Sequence, residues 1–236
     1  MEQADVETSS DAYARRFSGG VGSWFLAVQA QATLDLLRPF SPARVVDVGG
    51  GHGQLAEPLA VAGHYVMVVG SSDACRSRVQ PLVDGGQVRF QAADLLQLPF
   101  GARAFDVALA FRLLPHVARW RELVAELCRV AARAVIIDYP TQRSVNALAG
   151  PLFGMKKRVE GDTRPFAVFA DEEVEAAFAG QGFQVVARRP EFAIPMALHR
   201  AMGIAAVSRG LERVARAAGV TSRVGSPVIV RADRVG

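Results

Sequence analysis

The run Asp47-Val48-Gly49-Gly50-Gly51-His52-Gly53 sets one acid just ahead of four glycines packed into five positions. Glycine permits positive φ and lets a ligand approach the main chain with no Cβ in the way. Such a bend, placed where a strand ends and a helix begins, is a cradle for an adenine nucleotide or nucleoside above the strand ends of an open parallel sheet. Two common versions of that cradle do not fit. A dinucleotide fingerprint needs G-x-G-x-x-G or Ala, and counting from Gly49 gives Gly51 and then Gln54. A phosphate-binding loop needs Gly-Lys-Ser/Thr, and none follows. What remains is an acid followed by G-x-G-x-G: Asp47, Gly49, Gly51 and Gly53.

The elements that must position this loop can be read from hydrophobic period. From Ser41 onward short β-branched runs alternate with longer amphipathic ones, the rhythm of βαβ units. Strands are expected at 44–48, 65–69, 88–92, 105–111, 134–137, 182–188 and 227–232. Helices are expected at 54–62, 74–83, 119–131 and 171–179, the last with Asp171 as its cap. The stretch 196–218 reads as mostly helical. Ahead of the first strand, Phe25, Val28, Ala32 and Leu36 fall at helical spacing within 11–37, predicting one or two helices over the sheet edge or the ligand mouth. The segment 141–170, with Pro151, Gly154, Gly161 and Pro165, is too long for an ordinary connection and reads as a functional loop or lid.

In order and spacing these motifs resemble the class I S-adenosylmethionine-dependent methyltransferases, most closely the small-molecule type of quinone biosynthesis and tailoring pathways. The resemblance implies an α/β fold: a seven-stranded, mostly parallel Rossmann-like sheet with helices on both faces and an antiparallel last strand. It also implies one domain over 1–236, with a helical cap at 1–40 and acceptor-side insertions at 141–170 and 190–222. S-adenosylmethionine is the implied cofactor and S-adenosylhomocysteine its product. Asp47, Gly49, Gly50, Gly51 and Gly53 match the first motif. Asp94 and Leu95, in QAADLLQLPF, match the family's adenine-binding acid and its neighbour. Phe111 and Arg112, ahead of Leu113-Leu114-Pro115-His116-Val117, would line the cofactor, and Glu126-Leu127-Cys128-Arg129-Val130 resembles the family's following helix. One departure stands out: the family's ribose-holding acid after the second strand aligns with Gly70, followed by Ser71, Ser72 and Asp73. This leaves two readings, a methyl transfer to a small acceptor, most naturally at oxygen, or a non-catalytic, degenerate binder of the same nucleoside. Under the second, Gly70→Asp strengthens cofactor binding.

An oxygen or nitrogen acceptor must lose a proton, so side chains able to take one are candidates. His116, after the fourth strand, and His199, in an insertion over the acceptor side, are two; Asp138, ending the fifth strand beside Tyr139 and aimed with it at the site rim, is a third. His52 reads as filler within the glycine loop and His64 as a surface loop residue. Lys156, Lys157, Arg158 and Arg164 cluster with Phe153 and Phe166 in a form suited to an anionic or aromatic acceptor or to a solvated loop.

Composition narrows the rest. Two cysteines, Cys75 and Cys128, sit in no metal-ligand spacing and read as buried apolar thiols; no metal is expected. A net charge of +4 is carried by scattered arginines with no basic run or appended basic domain, which disfavours nucleic acid as a partner. No apolar stretch reaches the roughly 18 to 20 residues of a membrane helix, and a polar, acidic start is unlike a secretion signal. A cytoplasmic enzyme acting on a small molecule, of open oligomeric state, is the expectation.

Overall fold

A computed structural model describes residues 4–144 and 166–236. Five parallel strands carry the first half of the chain: β1 Arg44–Val48, β2 Tyr65–Gly70, β3 Val88–Ala92, β4 Phe105–Ala110 and β5 Ala131–Tyr139. After the long segment come β6 Phe183–Phe192 and β7 Ser226–Arg234, giving one sheet in the order β3-β2-β1-β4-β5-β7-β6. β7 runs antiparallel to both β5 and β6, so the expected architecture is the one found. β1 and β2 are near-continuous apolar runs because helices cover both faces of a parallel sheet.

The helices are α1 Ala4–Thr8, α2 Asp11–Ala14, α3 Gly19–Leu37, α4 Ala56–Val61, α5 Gln80–Asp84, α6 Trp120–Val130, α7 Asp171–Ala179, α8 Met196–Met202, α9 Ala205–Ala217 and α10 Val220–Val224. Side chains alternate across each strand. Val46, Val48, Ala108, Ala110 and Ile137 pack with α6 and α7, whereas Val45, Val107, Leu109 and Ile136 pack with α3 and α4. By the same parity Asp47 and Asp138 share the α3/α4 face, and Asp47 pairs with Leu109 of β4. Chain order reverses between β1 and β4, so the crevice at their carboxyl ends is where this class of sheet binds ligands.

Four local expectations change. The helix predicted over 74–83 is a single turn at Asp73–Arg76 followed by α5. Pro81 is tolerated in the first turn of a helix but not in the middle of a longer one. β5 starts at Ala131, three residues early, since α6 passes into it directly. On α3 the buried face is Val21, Phe25, Gln29, Thr33 and Leu36, which includes two polar residues, while Val28 and Ala32 are only partly buried. Asp171 does not cap α7 but is its first residue. Its carboxylate accepts the Tyr139 and Thr141 hydroxyls, each at 3.0 Å.

The two described ends of the long segment are joined. Thr141 bridges Phe169, with Gln142 N–H donating to Phe169 O at 2.9 Å and Phe169 N–H to Pro140 O at 3.0 Å. No helix among the described residues is long and apolar enough to cross a membrane.

The turn after β3 is held by α6. Glu126 accepts the Leu98 N–H, and the Arg129 guanidinium donates to Leu98 O at 3.0 Å and Phe100 O at 2.7 Å while bonding Glu126. Arg129→Met removes both carbonyl bonds and leaves the half-buried Glu126 carboxylate with only the Leu98 N–H. It should lower the unfolding free energy by about 1 to 3 kcal/mol, set by hydrogen bonds rather than by the partly screened ion pair. Urea unfolding monitored by circular dichroism measures this.

Candidate functional site

The glycine loop has the form its composition requires. Gly49 N–H donates to Val69 O at 2.8 Å, and Gly49 and Gly53 take φ of 75° and 77°, in the left-handed region. A Cβ at Gly50 would lie 2.2 Å from Asp47 Oδ2, so the carboxylate occupies the space beneath the loop. Asp47 is buried, its Oδ1 has no protein partner, and burial pushes its pKa up to about 7.

Above the loop lies a nearly filled cleft of about 10 Å³, lined by Asp47, Gly49, Gly50, His52, Gln54, Phe111 and Arg112, and closed by Thr8 and Tyr13 of the N-terminal segment. Ligand pockets commonly measure roughly 300 to 1,000 Å³. A nucleoside-sized guest therefore requires Thr8 and Tyr13 to move outward. The donor set itself suits a nucleoside bearing a cationic centre: a main-chain bend made by the left-handed Gly49 and Gly53, and a buried carboxylate oxygen with nothing bound to it.

Arg112 is the link between this cleft and the rest of the sheet edge. Its backbone is left-handed, φ 56°, rare for a side chain of its size. Asp138 Oδ1 holds that conformation by accepting the Arg112 N–H at 2.5 Å, and Asp138 Oδ2 accepts from Gln29 Nε2 at 3.1 Å. The guanidinium donates to Gln29 Oε1 at 3.1 Å and lies over the Phe17 ring at 3.9 Å. Burial raises Asp138 to about 6 against the pull of these donors. Glu191, at the end of β6, is buried with Oε1 unpartnered, and burial together with the Asp138 charge raises it well above the ordinary range. The His52 ring is wedged edge-on between Tyr13 and Phe17. Burial and the Arg112 and Arg78 charges depress it to about 4, leaving it neutral at physiological pH.

The structure brings Asp47, Gly49, Gly50, Phe111 and Arg112 to one cleft. Gly51 and Gly53 complete the loop, Gly51 under Ser9 of the N-terminal segment. Gly70 ends β2 and Ser71 follows it beneath Asp5, Asp94 follows β3 with Oδ1 accepting the Leu96 N–H, and Leu95 is buried in the core. A Cβ at Gly70 would stand 2.5 Å from the Cys75 Cβ and 3.1 Å from the Phe90 ring, so an acid there has no room.

The three proton-handling candidates do not converge. Asp138 has both oxygens engaged. His199 is fully enclosed, with Nε2 3.1 Å from Glu212 Oε1 and its ring against Trp24, Phe25 and Phe192, in the packing of α8 and α9 on α3. His116 is half-buried beside Phe166, ring centroids 5.7 Å apart. Tyr139 points away from Asp138, as strand alternation demands, toward Asp171 and Arg188. His64 is a buried residue and not a surface one; its Nδ1 accepts the Ala43 N–H at 3.1 Å. Both cysteines are buried free thiols. Phe153, Lys156, Lys157, Arg158 and Arg164 lie outside the described residues.

Thr8, Tyr13, Gln29, Gln54 and Glu191 were not singled out from sequence. Gln29 had a signal: with Phe25 and Thr33 it falls at i, i+4 spacing, a long polar residue on the face that also carries Val21 and Leu36. Glu191, at the end of a strand run of mixed polarity, had none.

Comparison with known proteins agrees with this geometry. Residues 46–137 match the family described as Methyltransferase domain. The demethylmenaquinone methyltransferase of Thermus thermophilus is 30% identical over 179 residues, covering 64% of this chain and 79% of that protein. The ubiquinone biosynthesis O-methyltransferase of Rhizobium rhizogenes is 25% identical, covering 67% of each. The match spans only about two fifths of two fungal O-methyltransferases, that of Pyrenophora dematioidea at 32% identity over 41% of this chain and 38% of its own length, and cnsE of Penicillium expansum at 35% identity over 43% of this chain and 40% of its own length. In fold, the magnesium protoporphyrin IX methyltransferase of Synechocystis PCC 6803, crystallised with bound S-adenosylhomocysteine, superposes with a TM-score of 0.67 at 17% identity over 95% of this chain and 93% of that one. With its glycine loop at the β1/β4 crevice and a bacterial relative matched over most of that protein's length, the chain belongs to the class I S-adenosylmethionine-dependent methyltransferases.

Proposed function

We propose that the protein binds S-adenosylmethionine in the cleft over Gly49–Gly53 and transfers its methyl group to a small-molecule acceptor, at oxygen. The observation that carries this reading is the loop at the β1/β4 crevice with a buried, unpartnered carboxylate beneath it. The oxygen target follows the names of the quinone-pathway and fungal relatives. The chain acts as one domain, its N-terminal residues 1–40 capping the cofactor and the segments 141–170 and 190–222 selecting the acceptor.

When bound, the cofactor supplies a sulfonium methyl already activated for in-line displacement. The protein's task is placement, and holding donor and acceptor in line contributes about 7 to 11 kcal/mol. Asp47 would face the cationic part of the guest, Phe111 and the Arg112 backbone would line the cofactor, and the Asp138–Gln29 pair holds Arg112 in place. With Asp138 fully engaged and His199 enclosed, His116 is the group we assign to accepting the acceptor's proton.

Three measurements test this. Calorimetry should show micromolar binding of S-adenosylmethionine and S-adenosylhomocysteine and none of NADH; absence of heat with both adenosyl ligands would overturn the reading. A nearby cation favours the ionised form of Asp47, so affinity for S-adenosylmethionine should rise as pH increases through about 7, where Asp47 gives up its proton. In Asp47→Asn that rise should flatten. Once an acceptor is found by mass spectrometry of extract incubated with labelled cofactor, His116→Gln should lower kcat by roughly 10²- to 10⁴-fold with unchanged S-adenosylhomocysteine affinity; an unchanged kcat removes His116 from the mechanism.

A further inference from the structure

In open parallel sheets of this kind a carboxylate at the carboxyl end of β2 accepts the hydroxyls of the bound ribose. Here that place is Gly70, and the Cys75 Cβ and Phe90 ring fill the space any side chain would need. A carboxylate is nevertheless present at the same strand end, and it comes from elsewhere in the chain. Asp5, on α1, is fully buried over the end of β2, where its Oδ2 accepts the Ser71 N–H at 2.8 Å across 66 residues of sequence.

The rest of that carboxylate has nothing to do. Asp5 Oδ1 is buried without a partner, and so is the neighbouring Ser71 Oγ. Two orphaned polar atoms facing one strand end are costly in the absence of a ligand and are the complement of a vicinal diol, which offers donors to a carboxylate and an acceptor to a hydroxyl. The backbone of α1 is built to hold the acid there: Thr8 Oγ1 and Ser9 Oγ both donate to Asp5 O, at 2.9 and 2.8 Å, and Ser9 also lies over Gly51.

We infer that Asp5 supplies the ribose-binding carboxylate missing at position 70, so that the N-terminal cap carries a part of the cofactor site and grips the sugar from above as it closes. This rests on the cofactor reading above. It explains in one stroke why Gly70 is tolerated and why an acid is buried on a short N-terminal helix with half its hydrogen-bonding capacity unused.

The test is a ligand and protein cycle on the full chain, read by calorimetry with S-adenosylhomocysteine and its 2′,3′-dideoxy analogue. Asp5→Asn keeps an oxygen for the Ser71 N–H and replaces only the other one. It should weaken S-adenosylhomocysteine binding by about tenfold or more, the loss of one or two charge-assisted hydrogen bonds. The native protein should lose a similar factor with the dideoxy analogue, and the variant should lose little further on that change of ligand. Because the decisive comparison is between two ligands on one variant, a general loosening of the fold shifts both and does not imitate the result. Equal or tighter binding of S-adenosylhomocysteine by Asp5→Asn would overturn the inference and make α1 a plug, as would a loss of the same size for both ligands. If the native protein bound neither ligand, the cofactor reading itself would fall, and this inference with it.

Discussion

Burying a carboxylate is tolerable only if it is hydrogen-bonded or made neutral, and this constraint organises the catalytic edge of the sheet. Asp138 takes the first route. It is buried at the end of β5 and held by an amide of Gln29 and a main-chain N–H of Arg112, and that second bond keeps a long side chain in left-handed backbone geometry. Asp47 takes the other. Beneath Gly50, with one oxygen bare, it holds its proton up to about pH 7. The two groups lie on the same sheet face, on either side of β4, so the fully bonded one makes a rigid wall and the bare one a receptive floor.

The cleft between them is completed from outside the sheet. Tyr13 and Thr8 close it, Phe17 stacks on the Arg112 guanidinium, and Phe25 with Phe192 and His199 ties α3 to the end of β6 and to α8. The N-terminal helices are thus continuous, through aromatic contacts, with the end of β6 and with α8.

How far this was legible in sequence depended on how local the cause was. Glycine spacing and β-branched runs are properties of neighbouring residues, and the seven strands and the loop followed from them, whereas Phe111 and Arg112 were named through the family resemblance. Asp138 and Tyr139 read from sequence as aimed at one rim, and strand alternation instead sends them to opposite faces. What escaped was non-local. The spacing marks Gln29 as polar on a core-facing stripe but not its partner, Asp138, 109 positions away, and His64 reads as a loop residue until the Ala43 N–H needs an acceptor. A proline settled the break between the turn at Asp73–Arg76 and α5 more firmly than the apolar period around it.

The junction of Pro140–Gln142 with Phe169, clamped by Tyr139 and Thr141 on Asp171, has a consequence for how such a protein can diversify. Closure entropy grows slowly with chain length, about 0.6 kcal/mol per doubling. Once the stem is secured by its own hydrogen bonds, the residues strung between its ends can be lengthened, shortened or rewritten with little cost to the sheet. Rewriting that stretch then needs no renegotiation with the strands that shape the glycine loop.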